Sequence, residues 1–253
     1  MDGQDPALTI PKALLSAWGV EPATRKGPRP RLTVARILET AVALGDQDGA
    51  EAVTMSRTAA ELGVGTMSLY RYVESRADLL LLAADAALGE PPALGGATWR
   101  ERVRDWTLAL RDVYRRHPWA AEVAVAAEPL TPASVRWSER GLAALEDSGL
   151  PPDEGIQVLI MLWTYVRAEA GLTGDLERAR AAEGLDAAGA ERALAHRIAT
   201  LVPADAYPRV RALLVGGLFG GTAAGGAGDA EDADFDLVVG LVLDGVAARA
   251  ARL

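Results

Sequence analysis

No stretch of this chain alternates apolar and polar residues for long enough to build a sheet, whereas apolar residues recur every three or four positions almost throughout. An all-α fold follows. Val34, Ile37, Leu38, Ala41, Val42 and Leu44 set the first strong helix, with Thr33 placed to cap it and Gly45 and Gly49 near its stop. Shorter helices are predicted over 55–62, behind Thr54, and over 66–72; Ser75 caps a fourth running from 76 to about 88. Gly89-Glu-Pro-Pro-Ala-Leu-Gly-Gly96 then breaks the pattern and is the best domain boundary. It divides a domain over 31–90, preceded by an extended, partly basic arm over 1–30, from a larger domain over 91–253. The later domain should hold an amphipathic helix over 99–116 stopped by Pro118, and short helices near 119–127 and 132–147. Helices over 153–171, 190–201, 204–219 and 234–252 complete it, with a polar, mobile stretch over 172–190.

Composition narrows the chemistry. Half of the 253 residues are hydrophobic and 24% are charged, so the chain is globular and long enough to bury a sizeable core. It has no cysteine, which excludes disulfides and thiol nucleophiles, and only two histidines, His117 and His196, too few for a multi-histidine metal centre. No Ser-His-Asp order, paired-carboxylate cleft or cofactor loop stands out, so the expectation is no enzyme, no catalytic residues, no cofactor and no metal. The N-terminus lacks a signal-peptide pattern, and residues 212–228, though uncharged, hold seven glycines and are too short to cross a membrane. A cytoplasmic protein without membrane association is expected. The net charge of −9 argues against general polyanion binding and leaves room for a local basic patch.

Residues 54–73 carry the most information. Two short helices flank a tight turn at Leu62-Gly63-Val64-Gly65; Ala59 allows close approach, and Leu62, Val64 and Leu69 can share a small core. The second helix opens on Thr66, Met67 and Ser68 and continues into Tyr70, Arg71 and Tyr72. A helix-turn-helix needs this layout, with the start of one helix offered to base edges and flanking hydroxyls to phosphates. Ahead of it, Arg25, Lys26, Arg29, Arg31 and Arg36 occur without an acid, kept extended by Gly27, Pro28 and Pro30. Such an arm either lies along a duplex backbone or enters a minor groove, or else is a solvated linker. Residues 31–90 hold five basic and nine acidic residues, so local geometry rather than net charge must deliver binding.

Residues 33–82 resemble the DNA-binding domain of tetracycline-repressor-type (TetR family) transcription regulators. The resemblance rests on Ala-Leu-Gly-Asp-Gln-Asp-Gly, Val-Thr-Met-Ser-Arg, Ala-Ala-Glu-Leu-Gly-Val, Met-Ser-Leu-Tyr-Arg-Tyr-Val and Ser-Arg-Ala-Asp-Leu-Leu in succession. Residues 234–246 are similar to the final helix of the tetracycline-repressor subgroup. The resemblance implies an N-terminal three-helix bundle with the helix-turn-helix, joined by the helix over 76–88 to a larger helical ligand-binding and dimerisation domain. It places Thr66, Met67 and Ser68 at the groove, with Ser56 and Arg57 adding base contacts. Tyr70, Tyr72 and Arg76 would face the phosphate backbone, and Thr54 would be a cap and phosphate donor; Arg71, between the two tyrosines, is a further DNA-binding candidate. Gly65 and Thr66 stand where the namesake has longer side chains, so the operator should differ.

In the second half, Trp106, Leu110 and Tyr114 lie along one helix, and Trp137, Trp163 and Arg167 on later ones. Each tryptophan at helical spacing suits plain core; the resemblance makes the group the wall of an effector cavity. Trp106 and Ala124 fall where the namesake uses polar ligands, so a metal–tetracycline complex is not expected, and His117 before Pro118 suits capping. Two helix faces are candidates for a homodimer interface: Ile156, Leu159, Ile160 and Trp163, and Phe235, Val238, Val242 and Val246, the latter widened by Leu237 and Leu241. The expected protein is a ligand-responsive, dimeric repressor bound to double-stranded operator DNA and released by a small apolar or amphipathic effector. The rival is a helical small-molecule-binding or sequestering protein with a non-functional DNA-binding head.

Overall fold

The computed structural model describes residues 10, 12–20, 32–123, 130–215 and 227–253. Every regular element among them is helical. The order is α1 (Lys12–Ala17), α2 (Val34–Asp48), α3 (Met55–Glu61), α4 (Thr66–Leu69), α5 (Arg76–Leu88), α6 (Trp99–Arg116) and α7 (Pro132–Ala144). Then come α8 (Pro152–Glu183), α9 (Ala187–Leu201), α10 (Pro208–Val215) and α11 (Ala227–Ala250). Two compact units result, one of residues 1–171 with 250–253 and the other of 172–249. Among the described residues no helix is long and apolar enough to cross a membrane.

The head is built by local rules. Thr33, Thr54 and Ser75 each accept a hydrogen bond from the backbone N–H three residues on, at 3.2, 3.2 and 3.0 Å, satisfying donors that a helix start leaves open. Between α3 and α4 the chain reverses at Gly63, whose φ of +66° only glycine adopts cheaply. Gly63 N–H donates to Ala60 O and Val64 N–H to Ala59 O, each at 3.0 Å, so the last carbonyls of α3 are closed by a Schellman turn. Ile37, Ala41, Leu69, Leu79 and Leu82 are sealed inside this bundle.

Besides the arm, which holds helix α1 at Lys12–Ala17 where an extended chain was expected over 1–30, four expectations are corrected. α4 ends at Leu69, three residues before the predicted 72, and Tyr72 and Val73 then donate their N–H groups to Leu69 O as turns. Of the helix predicted near 119–127, the described part is a single 3₁₀ turn at Pro118–Ala121. The stretch 172–190 is largely helical, because α8 continues to Glu183. Leu176 through Ala182 are strong helix formers, Arg178 and Asp175 pair at 2.7 Å, and the helix stops only at Gly184, at φ +63°.

The fourth correction concerns α11. Its buried stripe is Phe235, Val239, Leu243 and Val246, so Phe235 and Val246 serve the core of a single chain; Val238 and Val242 are half-buried. Leu237 and Leu241 remain exposed. On α8 the buried stripe is Leu159, Leu162 and Val166, while Ile160 and Met161 face outward. The arm residues Arg25, Lys26, Arg29 and Arg31, together with Ala124 and the glycine-rich run 216–226, lie outside the described residues.

Candidate functional site

The turn at Gly63 decides what α4 shows. Leu69 is wholly buried and anchors the helix, which leaves Met67 77% and Tyr70 46% exposed, with Thr66 and Ser68 half-exposed beside them. Ser56 and Arg71 are exposed as well. Arg57 pairs with Asp48 on α2, which fixes its guanidinium beside α3. Thr54 is bound to its cap role and lies 3.3 Å from the Ser56 hydroxyl. One surface therefore carries a thioether, three aliphatic hydroxyls, a phenol and a guanidinium. Such a set reads base edges and binds phosphate oxygens.

Two residues expected at the phosphates, both half-buried, are engaged in hydrogen bonds within the chain. The Tyr72 hydroxyl donates to Leu32 O at 3.1 Å, tying the end of the helix-turn-helix to the start of α2. Arg76 donates from Nε to Val53 O at 3.0 Å and from Nη2 to Ala50 O at 2.9 Å. Its guanidinium thereby adds a donor to the Ala50 carbonyl, which already accepts from Val53 N–H, and takes up the Val53 carbonyl just after the 3₁₀ turn Ala50–Ala52. Their partners lie more than 20 residues away in sequence, which is why local reading gave these side chains to DNA.

Behind the head, Trp106, Trp137 and Trp163 pack edge to face, with ring centroids 6.0, 6.0 and 6.4 Å apart. Trp106, Leu110 and Trp137 are essentially sealed. Each indole N–H has an acceptor, as burial of such a group demands. Trp106 donates to Trp137 O at 2.9 Å, and Trp163 to the Tyr114 hydroxyl at 3.0 Å. Burial raises the Tyr114 phenol above its ordinary pKa, opposed by the Trp163 hydrogen bond and the charge of Arg167, so it stays a neutral hydroxyl. Arg167 holds Ala121 O at 2.9 Å and also donates to Val123 O. Sequence reading missed the buried Arg111, whose Nε and Nη2 both donate to Glu169 Oε1, at 3.1 and 2.6 Å. A separate open groove of about 500 Å³ is lined by Ala35, Leu38, Glu39, Val42 and Ala86 on α2 and α5, away from the tryptophans.

Helix α5 is gripped at its second half. Trp137 Nε1 donates to Leu88 O and Gly89 O, at 3.3 and 3.2 Å, covering the last carbonyls of α5. Asp85 reaches from α5 to the first turn of α7, accepting from Ala133 N–H and Ser134 N–H at 3.1 Å each. Thr131, in the N-cap position of α7, makes no capping bond of its own, so this carboxylate caps that helix from outside. Nothing local in the sequence marks Asp85 for that role.

Residues 37–83 match the family model described as bacterial regulatory proteins, tetR family, and residues 91–250 match the tetracyclin repressor-like C-terminal domain. The chain belongs to the tetR family. It is a helix-turn-helix transcriptional regulator. The HTH-type transcriptional repressor DrrR1 of Streptomyces coeruleorubidus is 35% identical over 207 residues, covering 81% of this chain and 77% of that protein. Apo ActR of Streptomyces coelicolor superposes with a TM-score of 0.70 at 29% identity, covering 89% of this chain and 99% of that one. ActR in complex with actinorhodin gives a TM-score of 0.69 at 30% identity, covering 87% and 97%.

Within this tetR-family head, the internally bonded Arg76 and the exposed Arg71 should part experimentally. Arg76→Gln leaves two carbonyls without their charged donor and should lower stability by about 1–2 kcal/mol in thermal or urea unfolding. Arg71→Gln should leave stability unchanged and reduce the slope of log affinity against log salt by about 0.9 for each phosphate that is no longer neutralised. The reverse assignment of the two effects would put Arg76 on the DNA.

Proposed function

We propose that this regulator is a homodimeric repressor that holds a two-half-site operator and leaves it when a small apolar or amphipathic molecule enters the tryptophan-lined core. The observation that carries the reading is the continuity of that core with the linking helix. The Trp163–Tyr114 pair meets Trp106, Trp106 bonds the Trp137 carbonyl, and Trp137 bonds the last carbonyls of α5. An effector that parts the rings must displace Trp137 and so release α5, which carries the head. Effector affinity by itself achieves nothing; the molecule has to bind the DNA-incompetent arrangement better. A ligand-bound relative of similar fold, ActR with actinorhodin, supports effector binding.

The ligand-facing roles divide. Trp163 and Arg167 are half-buried and the buried Tyr114 hydroxyl is bonded to Trp163, which suits contact with an effector carrying an apolar body and a polar edge once the rings part. Trp106, Leu110 and Trp137 serve behind them as the packing that transmits the displacement. On the DNA side, Thr66, Met67 and Ser68 read bases with Ser56 and Arg57 beside them, while Tyr70, Arg71 and Thr54 meet phosphates. Arg25, Lys26, Arg29 and Arg31 add backbone or minor-groove contacts from the arm. The regulator works in the cytoplasm, where its operator is.

Selection of bound duplexes from a random pool tests this directly. Wild type should return one consensus with two related half-sites. Thr66→Ala and Ser68→Ala should change the consensus, and Tyr70→Phe should weaken all sequences alike, by about 1 kcal/mol. Three identical consensus sequences would contradict the assignment, and no enrichment at all would favour the sequestering protein.

For the dimer, the exposed Leu237 and Leu241 of α11 form an apolar face that the same helix of a partner subunit would cover. Leu241→Asp leaves the intrachain stripe intact and should place an unpaired carboxylate at the two-fold contact. The variant should sediment as a folded monomer and lose the full operator. A dimer that persists would move the interface elsewhere.

A further inference from the structure

The head has a second attachment to the sensor core, at the opposite end of α2 from its cap. Asp46, near the C-terminus of α2, accepts on one oxygen from Trp119 Nε1 at 2.7 Å, and the same Oδ1 lies 2.7 Å from His117 Nδ1. Gly45, one residue earlier, lies flat against the Trp119 indole. A Cβ there would fall 2.4–2.7 Å from three of the ring's atoms, closer than any side chain tolerates. Trp119 is itself buried. Both partners of Asp46 belong to the short segment after α6: His117 ends that helix, and Trp119 sits in the 3₁₀ turn Pro118–Ala121.

The other side of this segment is held from the sensor core. Ala121 O and Val123 O both accept from the Arg167 guanidinium, one helical turn beyond Trp163 on α8. The segment 117–123 is therefore a strut. One end rests on Arg167, beside the Trp163–Tyr114 pair, and the other on the glycine and carboxylate that end α2. The segment is short and held at both ends, and a close-packed glycine–indole contact transmits strain rather than absorbing it.

We propose that Asp46 and Gly45 are positioning residues. Through Trp119 and His117 they set the orientation of the DNA-binding head, by a route separate from the grip of Trp137 and Asp85 on α5. This inference rests on the repressor reading above. The trio is closed, ring on ring, so the arrangement described is the unparted core, the form that holds the operator in that reading. The strut then favours the head spacing that fits two half-sites, and breaking it should harm two-headed binding while leaving each head able to read DNA.

The test uses the full-length protein with two duplexes, the two-half-site operator returned by selection and a single half-site, both measured at low salt. Asp46→Ala should lower full-site affinity at least tenfold and leave half-site affinity within twofold. Trp119→Phe keeps an aromatic ring, removes the N–H and leaves every residue of the head itself unchanged, and should show the same pattern more weakly. Gly45→Ala should resemble Asp46→Ala, since the ring must move away. Full-site affinity that is unchanged or raised in Asp46→Ala and Trp119→Phe overturns the proposal. So does an equal fall on both duplexes in both variants, which would make Asp46 a prop of the head's own fold. A wild type that binds neither duplex overturns the repressor reading itself, and with it this inference.

Discussion

The indole of Trp137 lies where two domains have to be joined. Its N–H covers the last carbonyls of α5, its carbonyl accepts from Trp106, and its ring packs edge to face against Trp106 and Trp163. Remove it and the end of the linking helix loses its hydrogen-bond partner while the sensor core loses its central ring. Asp85 reinforces the same junction in the reverse direction, with a carboxylate of α5 placed where the dipole of α7 is most positive. Linking helix and sensor core each finish the other's open hydrogen bonds, so neither can shift without exposing buried polar groups.

That junction explains how an acidic protein can be a DNA-binding one. The chain carries a net charge of −9, so no broad field draws it to a duplex. In the dimer proposed above, affinity would come from a few aligned contacts on α4, the arm and their copies in a partner subunit, at a separation that matches the groove repeat. A regulator of this kind is unusually dependent on the angle of its head. Angular control is what the α5 grip and the strut at Asp46 both provide.

The parts legible in the sequence are those governed by neighbours close in the chain. The caps at Thr33, Thr54 and Ser75, the glycine reversal at Gly63 and the tryptophan cluster follow from spacing and residue type, and all three caps are formed by the predicted side chains. What was not legible depends on distant partners. Tyr72 and Arg76 look like phosphate contacts until Leu32, Ala50 and Val53 are seen beside them. Asp46 and Asp85 read as ordinary surface carboxylates, although each serves a buried joint. Helix α11 is apolar over so wide an arc that periodicity alone could not choose its inward face, and the chosen stripe sits one residue beyond Val238 and Val242. The continuation of α8 past Gly171 was missed because two glycines outweighed a following run of strong helix formers.

The central claim is that Trp137 fixes the head relative to the sensor core, and the chain's lack of cysteine makes it directly measurable. Met67→Cys, on the exposed start of the recognition helix, supplies one spin-label site per subunit and hence one label-to-label distance per dimer. With Trp137 intact, the account predicts a single narrow distance distribution. Adding Trp137→Phe, which keeps an aromatic ring but removes the N–H, should broaden or shift that distribution with helical content unchanged. An identical narrow distribution in both proteins would contradict the claim.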